Sequence, residues 1–127
     1  MIRPTPPLAV LLTVLLPLAG PPAAAQGWVP RQAAELQMLD KVTARVSVVR
    51  ATVGQPARFG ALSILVLACE ARPPDEVPDA AAFLEMRDAR RVSEGTDLVF
   101  RGWMFANAPG VSMLEHPVYD VRVLDCR

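Results

Sequence analysis

The stretch ALSILVLACE, Ala61 to Glu70, carries the reading of the fold. In an extended chain it sets Leu62, Ile64, Val66 and Ala68 on one face and Ser63, Leu65, Leu67 and Cys69 on the other, because successive strand side chains point to opposite sides. Both faces are mostly apolar, which predicts a central strand covered on both sides, with Cys69 at its end. Gly54-Gln55-Pro56 and Phe59-Gly60 punctuate the chain before it. RPPDEVPD (residues 72–79), proline-rich and charged, follows it as an exposed loop.

The flanking runs extend the pattern. Val42 to Val49 is rich in β-branched residues and predicts a strand. AAAFLEMRD contains good helix formers, but it is short and lies among strands, so Phe83 to Arg87 is expected to be a strand. DLVFRGWMF alternates Leu98, Phe100, Gly102 and Met104 against Val99, Arg101, Trp103 and Phe105, a strand with one drier face. PVYDVRVLDC is the closing strand. ARRVSEGT and ANAPG are turn and loop, and SMLE (residues 112–115) is a single helical turn. RQAAELQMLD (residues 31–40) places Ala33, Leu36 and Leu39 near one helical face, which predicts a short helix or ordered arm. Short strands with frequent turn signals and no internal repeat predict an all-β fold, a small single-domain sandwich or barrel. The expected divisions are 1–25, a leader; 26–40, the arm or short helix; and 41–127, the β domain.

The leader follows from the first residues. Arg3 is followed by an apolar run from Leu8 to Ala19, a Gly20-Pro21-Pro22 break and Ala23-Ala24-Ala25. A basic end, a short apolar core and a small-residue exit make a secretory signal, with cleavage expected after Ala25. A membrane span needs about 20 apolar residues, and this run is shorter and contains Pro17, so no transmembrane segment is expected in the mature chain. The 52% hydrophobic content is inflated by the leader. Charge is balanced, and apart from Arg87, Arg90 and Arg91 the arginines are scattered. Nucleic-acid binding, which calls for a basic face or stripe, is not expected.

Export makes the two cysteines informative. Cys69 and Cys126 allow one pairing, and an even count in a small exported domain reads as a disulfide. Closing so long a loop is worth about 4 kcal/mol in the chain-entropy model. A zinc site is the alternative, but two cysteines and one histidine are too few ligands of the kind structural zinc favours. No metal and no cofactor are expected.

Motifs for nucleotide, metalloprotease or serine-hydrolase chemistry are absent, and none of the four serines (Ser47, Ser63, Ser93, Ser112) lies in an activating motif. The only histidine, His116, lies in EHPVYD between Glu115 and Asp120. Glu115, His116 and Asp120 could serve a small hydrolase only if they faced one cleft. The other reading is structural: Pro117 pushes His116 towards extended backbone, and its ring could fix the turn into the last strand. We take the turn role as the expectation, with no catalytic residue. Trp103, Phe105, His116 and Tyr119 are the candidate interaction surface, since aromatics are enriched at interfaces; the core competes for the same side chains.

The blocks LDKVTARV, RFGALSILVLACEARPP, AAFLEMRD, GWMFANAP and LEHPVYDVRVLDC together resemble a family of small exported alphaproteobacterial proteins known as a domain of unknown function. The resemblance spans about Leu36 to Cys126 and implies an exported domain with the Cys69–Cys126 pair. It implies no activity, cofactor or catalytic residue. Family genes often neighbour one for an accessory subunit of the respiratory NADH dehydrogenase, which makes a respiratory membrane complex a partner worth testing. The expectation is a non-enzymatic periplasmic domain that binds or supports another envelope protein. The alternative is a small envelope hydrolase or carbohydrate-binding enzyme using Glu115, His116 and Asp120. A cleft uniting those three would favour the enzyme; an exposed apolar patch would favour partner binding.

Overall fold

Among the described residues, alternation of small or apolar with polar side chains builds eight strands, joined by one short 3-10 helix. The computed structural model describes residues 1–10, 14, 16–18, 20 and 27–127. The expected cleavage point after Ala25 lies outside them. Among the described residues no helix is long and apolar enough to cross a membrane.

The strands are β1 (Val29–Pro30), β2 (Ala33–Asp40), β3 (Arg45–Thr52), β4 (Ala57–Phe59), β5 (Leu62–Ala71), β6 (Ala80–Asp88), β7 (Leu98–Phe105) and β8 (Tyr119–Cys126). They form two antiparallel sheets. Sheet A runs β1-β5-β6-β7, with β4 also paired to β5; sheet B runs β3-β2-β8. The fold is all-β, and its core lies between the inward faces of the sheets. Leu36 and Met38 of β2 meet Leu62, Ile64 and Val66 of β5, Leu84 and Met86 of β6, and Val121 and Val123 of β8. Burying a side chain of this size is worth about 1.5–3 kcal/mol, so this layer supplies most of the drive to fold.

Two expectations need correction. Residues 31–40 do not form a helix or a free arm: Ala33–Asp40 is the central strand of sheet B, paired with β3 and β8. Ala34, Leu36 and Met38 are fully buried while Glu35 and Gln37 are not, a period of two that was present in the sequence beside the helical one. Strand partners on both sides satisfy its backbone, and this context overrides intrinsic propensity. Ser112–Glu115 is likewise not a helical turn; Leu114 is buried in the core from an irregular segment.

Other boundaries shift. Residues 41–44 are a turn, so β3 begins at Arg45 rather than Val42. Asp40 Oδ1 accepts the N–H groups of Val42 (2.9 Å) and Thr43 (3.2 Å), holding that turn. Phe83–Arg87 is strand, as expected, and the polar turn after it includes a 3-10 helix, Ala89–Glu94, ending at Gly95 with φ 68°. β5 is central but is not covered on both sides. Its inward Leu62, Ile64 and Val66 are buried, whereas Leu65 is half-buried and Leu67, at a register shift, is 40% exposed.

Candidate functional site: a locked polar end and an open aromatic face

The sheets are joined at both ends. At one end Cys69 of β5 and Cys126 of β8 form the disulfide, with Cα atoms 5.6 Å apart. At the other, where β5 and β8 begin and β6 ends, a buried polar latch centres on Asp88 and His116. His116 Nε2 donates to Asp88 Oδ2 at 2.8 Å. Its Nδ1 accepts the N–H groups of Val118 (3.0 Å) and Tyr119 (3.2 Å). Two donors facing Nδ1 place the ring proton on Nε2, so the tautomer is assigned from the hydrogen-bond network. The His116 carbonyl accepts from Lys41 Nζ at 2.7 Å, which ties the same turn to the β2–β3 connection.

Asp88 is buried in turn against the 3-10 helix it caps. Its Oδ1 accepts the Arg90 N–H at 2.9 Å, and the Arg90 guanidinium lies 3.3 Å from both carboxylate oxygens. Burial alone would raise the Asp88 pKa, but hydrogen bonds from Arg90 and His116 outweigh it and lower it from 3.8 to about 2. Tyr119 completes the latch: its hydroxyl accepts the Ala61 N–H at 3.0 Å, and its ring packs on Phe59 and His116 with centroids 5.9 and 5.2 Å away. A Cβ on Gly60 (φ 58°) would run into the Tyr119 hydroxyl, so this approach requires glycine.

These positions decide what each candidate residue can offer. The His116 and Asp88 side chains are only 2% and 3% exposed, and Tyr119 is buried. Of the four expected interaction residues, His116 and Tyr119 are therefore not surface groups: the core and latch claim them, because a buried ring with polar atoms must find partners. Glu115 is exposed, Asp120 is half-buried on β8, and both nitrogens of the intervening imidazole are engaged. Among the described residues no three His, Cys, Asp or Glu side chains gather as a metal site would require.

Trp103 and Phe105 lie elsewhere, on the outer face of sheet A. Register pairs Ala81 with Phe105, Phe83 with Trp103 and Glu85 with Arg101, and all project away from the core because Ala82, Leu84 and Met104 fill it. Phe83 and Trp103 meet edge-on at 5.4 Å, and Trp28 lies 6.5 Å from Phe105. Trp28, Trp103, Phe105, Ala81 and Glu70 line a shallow depression of about 220 Å³. Arg72 stacks on Trp28 at 4.2 Å, and Arg101, bonded to Glu85 at 2.6 Å, borders Phe83. Sequence reasoning missed Trp28, Phe83 and Asp88. Outward alternation along AAAFLEMRD would have found Phe83, but only the fold brings Asp88 to His116, 28 residues away.

Fold and sites together define a small antiparallel sandwich, locked by a disulfide at one end and a carboxylate–imidazole latch at the other, with one aromatic sheet face open. The chain belongs to the bacterial family DUF2155, described as an uncharacterized protein conserved in bacteria, whose model matches residues 34–126. An uncharacterized protein of Rickettsia prowazekii (strain Madrid E), RP359, is 26% identical over 88 residues, 69% of this chain and 56% of that protein. The chain thus spans little more than half of that relative's length. No solved structure matches.

Proposed function

We propose that this is an exported, non-enzymatic domain of the periplasm that binds or supports another envelope protein through the outer face of sheet A. The observation that carries the reading is the aromatic group on that face. Trp28, Trp103 and Phe105 line a shallow depression, Phe83 packs edge-on against Trp103, and Trp103 is 38% exposed. Large aromatics with charged neighbours are the side chains on which binding energy concentrates. Export is supported by the leader pattern, and a disulfide suits an oxidising compartment. The single imidazole is committed to Asp88 and the backbone, which supports a structural role for it. A respiratory membrane complex is the first partner to test.

The test compares envelope polypeptides retained by the wild-type domain and by Trp103→Ala. Truncating a central aromatic should weaken retention at least about tenfold. The thermal midpoint should stay near wild type, because this side chain faces outward. Equal retention by both proteins refutes the reading.

A further inference from the structure

The two edges of sheet A are unlike. One is made of β1, two residues ending in Pro30, and β4, three residues, and strands so short offer another chain little to pair with. The other is β7, eight residues with no proline and no lysine, paired only with β6. The Ala106 N–H donates to the Ala80 carbonyl at 2.8 Å, and the register continues unshifted through Ala82–Met104 and Leu84–Gly102. Bonded and non-bonded pairs alternate along an antiparallel ladder, so Ala82–Met104 and Leu84–Gly102 are bonded, while Ala81–Phe105, Phe83–Trp103 and Glu85–Arg101 are not. The backbone N–H and C=O groups of Arg101, Trp103 and Phe105 therefore point away from β6, and among the described residues none of them has a hydrogen-bond partner. Charge is a common guard of an open edge. The one charge on β7, Arg101, is bonded to Glu85 of its own sheet at 2.6 Å. Sheet B's open strand β3 carries two, Arg45 and Arg50, which resist self-pairing there.

We propose that two copies of this chain pair antiparallel through β7, joining their A sheets into one continuous sheet. The occupant follows from the strand's own pattern. Edge-pointing groups belong to odd-numbered residues, so bonded pairs join odd positions to odd, and a strand over 98–105 overlaps its own copy most fully about Arg101 or Gly102. Centring on Arg101 sets guanidinium opposite guanidinium, and like charges directly opposite repel. Centring on Gly102 sets each Arg101 opposite the second copy's Trp103, with backbone bonds exchanged on both sides of the axis and a cation facing an aromatic ring. Glycine then faces glycine at the axis, a non-bonded position where Cα atoms come within about 4.5 Å. The inference stands apart from the partner-binding reading. Pairing uses the backbone edge of β7 and leaves both outer faces on the same side of the joined sheet.

Sedimentation equilibrium of the disulfide-bonded protein should show a reversible dimer. Arg101→Pro tests the edge: the N–H of this residue points outward, so proline costs sheet A no hydrogen bond but denies the second copy its donor. It should weaken dimerisation at least about tenfold. Arg101→Ala, which keeps the N–H, should weaken it clearly less. Gly102→Cys tests the register and does not depend on the proline variant folding. A Cβ there meets only ordinary contacts, 3.5 Å from the Phe100 ring and 3.8 Å from Ser112 Oγ. Facing cysteines about 4.5 Å apart at Cα lie within disulfide reach. In a glutathione buffer Gly102→Cys should therefore form a dimer linked between chains. Val99→Cys, whose copies stand about 20 Å apart along the pair, should not. A protein still monomeric at about 1 mM, a dimer that a folded Arg101→Pro leaves intact, or linkage through Val99→Cys as complete as through Gly102→Cys would overturn the proposal.

Discussion

Replacing Asp88 by alanine should destabilise the domain by about 3 kcal/mol, although the residue lies on neither the aromatic face nor the disulfide. The change strands the His116 Nε2–H, whose side chain is 2% exposed, and a buried donor without a partner costs about 1–3 kcal/mol. It also removes the cap on the Arg90 N–H, typically worth about 1 kcal/mol. The two losses share one carboxylate and need not add fully. Urea unfolding with the disulfide intact measures the sum. Asp88→Asn separates charge from hydrogen bonding, because its amide oxygen can still accept from His116. The Asp88 pKa is depressed, to about 2 against 3.8, so its charge-dependent stability is fully present above about pH 4 and is lost as pH falls towards 2. The full shift corresponds to about 2 kcal/mol. With Arg90 53% exposed and screened by solvent, about 1 kcal/mol is the expected loss. Wild type should therefore lose about 1 kcal/mol more than Asp88→Asn between pH 4 and 2. A cost below about 1 kcal/mol for Asp88→Ala, or parallel pH curves for wild type and Asp88→Asn, would refute the latch.

Three further outcomes follow from the same geometry. Cys69→Ala with Cys126→Ala opens a loop spanning 57 residues and should cost about 4 kcal/mol by chain entropy, read as a lower urea midpoint. Gly60→Ala should cost about 2–3 kcal/mol, since alanine is strained at φ 58° and displaces the Tyr119 hydroxyl from the Ala61 N–H; thermal unfolding measures it. Ala44 has φ 57° without being glycine, so Ala44→Gly should stabilise the β2–β3 turn by about 0.5–1 kcal/mol, visible as a raised thermal midpoint.

The strands that form the sandwich were legible because their inward residues repeat every second position, as along Leu62, Ile64 and Val66. Ala33–Asp40 was misread because alanine, leucine, glutamine and glutamate favour helix in isolation. Its strand state comes from pairing with β3 and β8, which no local pattern carries. The cysteine pair was readable by counting. The split of the aromatic candidates was not, since whether a ring faces core or solvent depends on register across strands: Trp103 pairs with outward Phe83, while Tyr119 points to Ala61. The turn role of His116 was visible from Pro117, but its partner Asp88 is brought to it only once the sheets are assembled.

The claim that the outer face of sheet A is the binding surface is tested most directly by photo-crosslinking in the intact envelope. A photoreactive phenylalanine at position 105, beside Trp28 and Trp103, is compared with one at position 48, where Val48 is 62% exposed on sheet B. Position 105 should yield a discrete crosslinked envelope polypeptide that disappears with Trp103→Ala, and position 48 should not. Equal crosslinking from both positions, or from position 48 alone, would contradict the account.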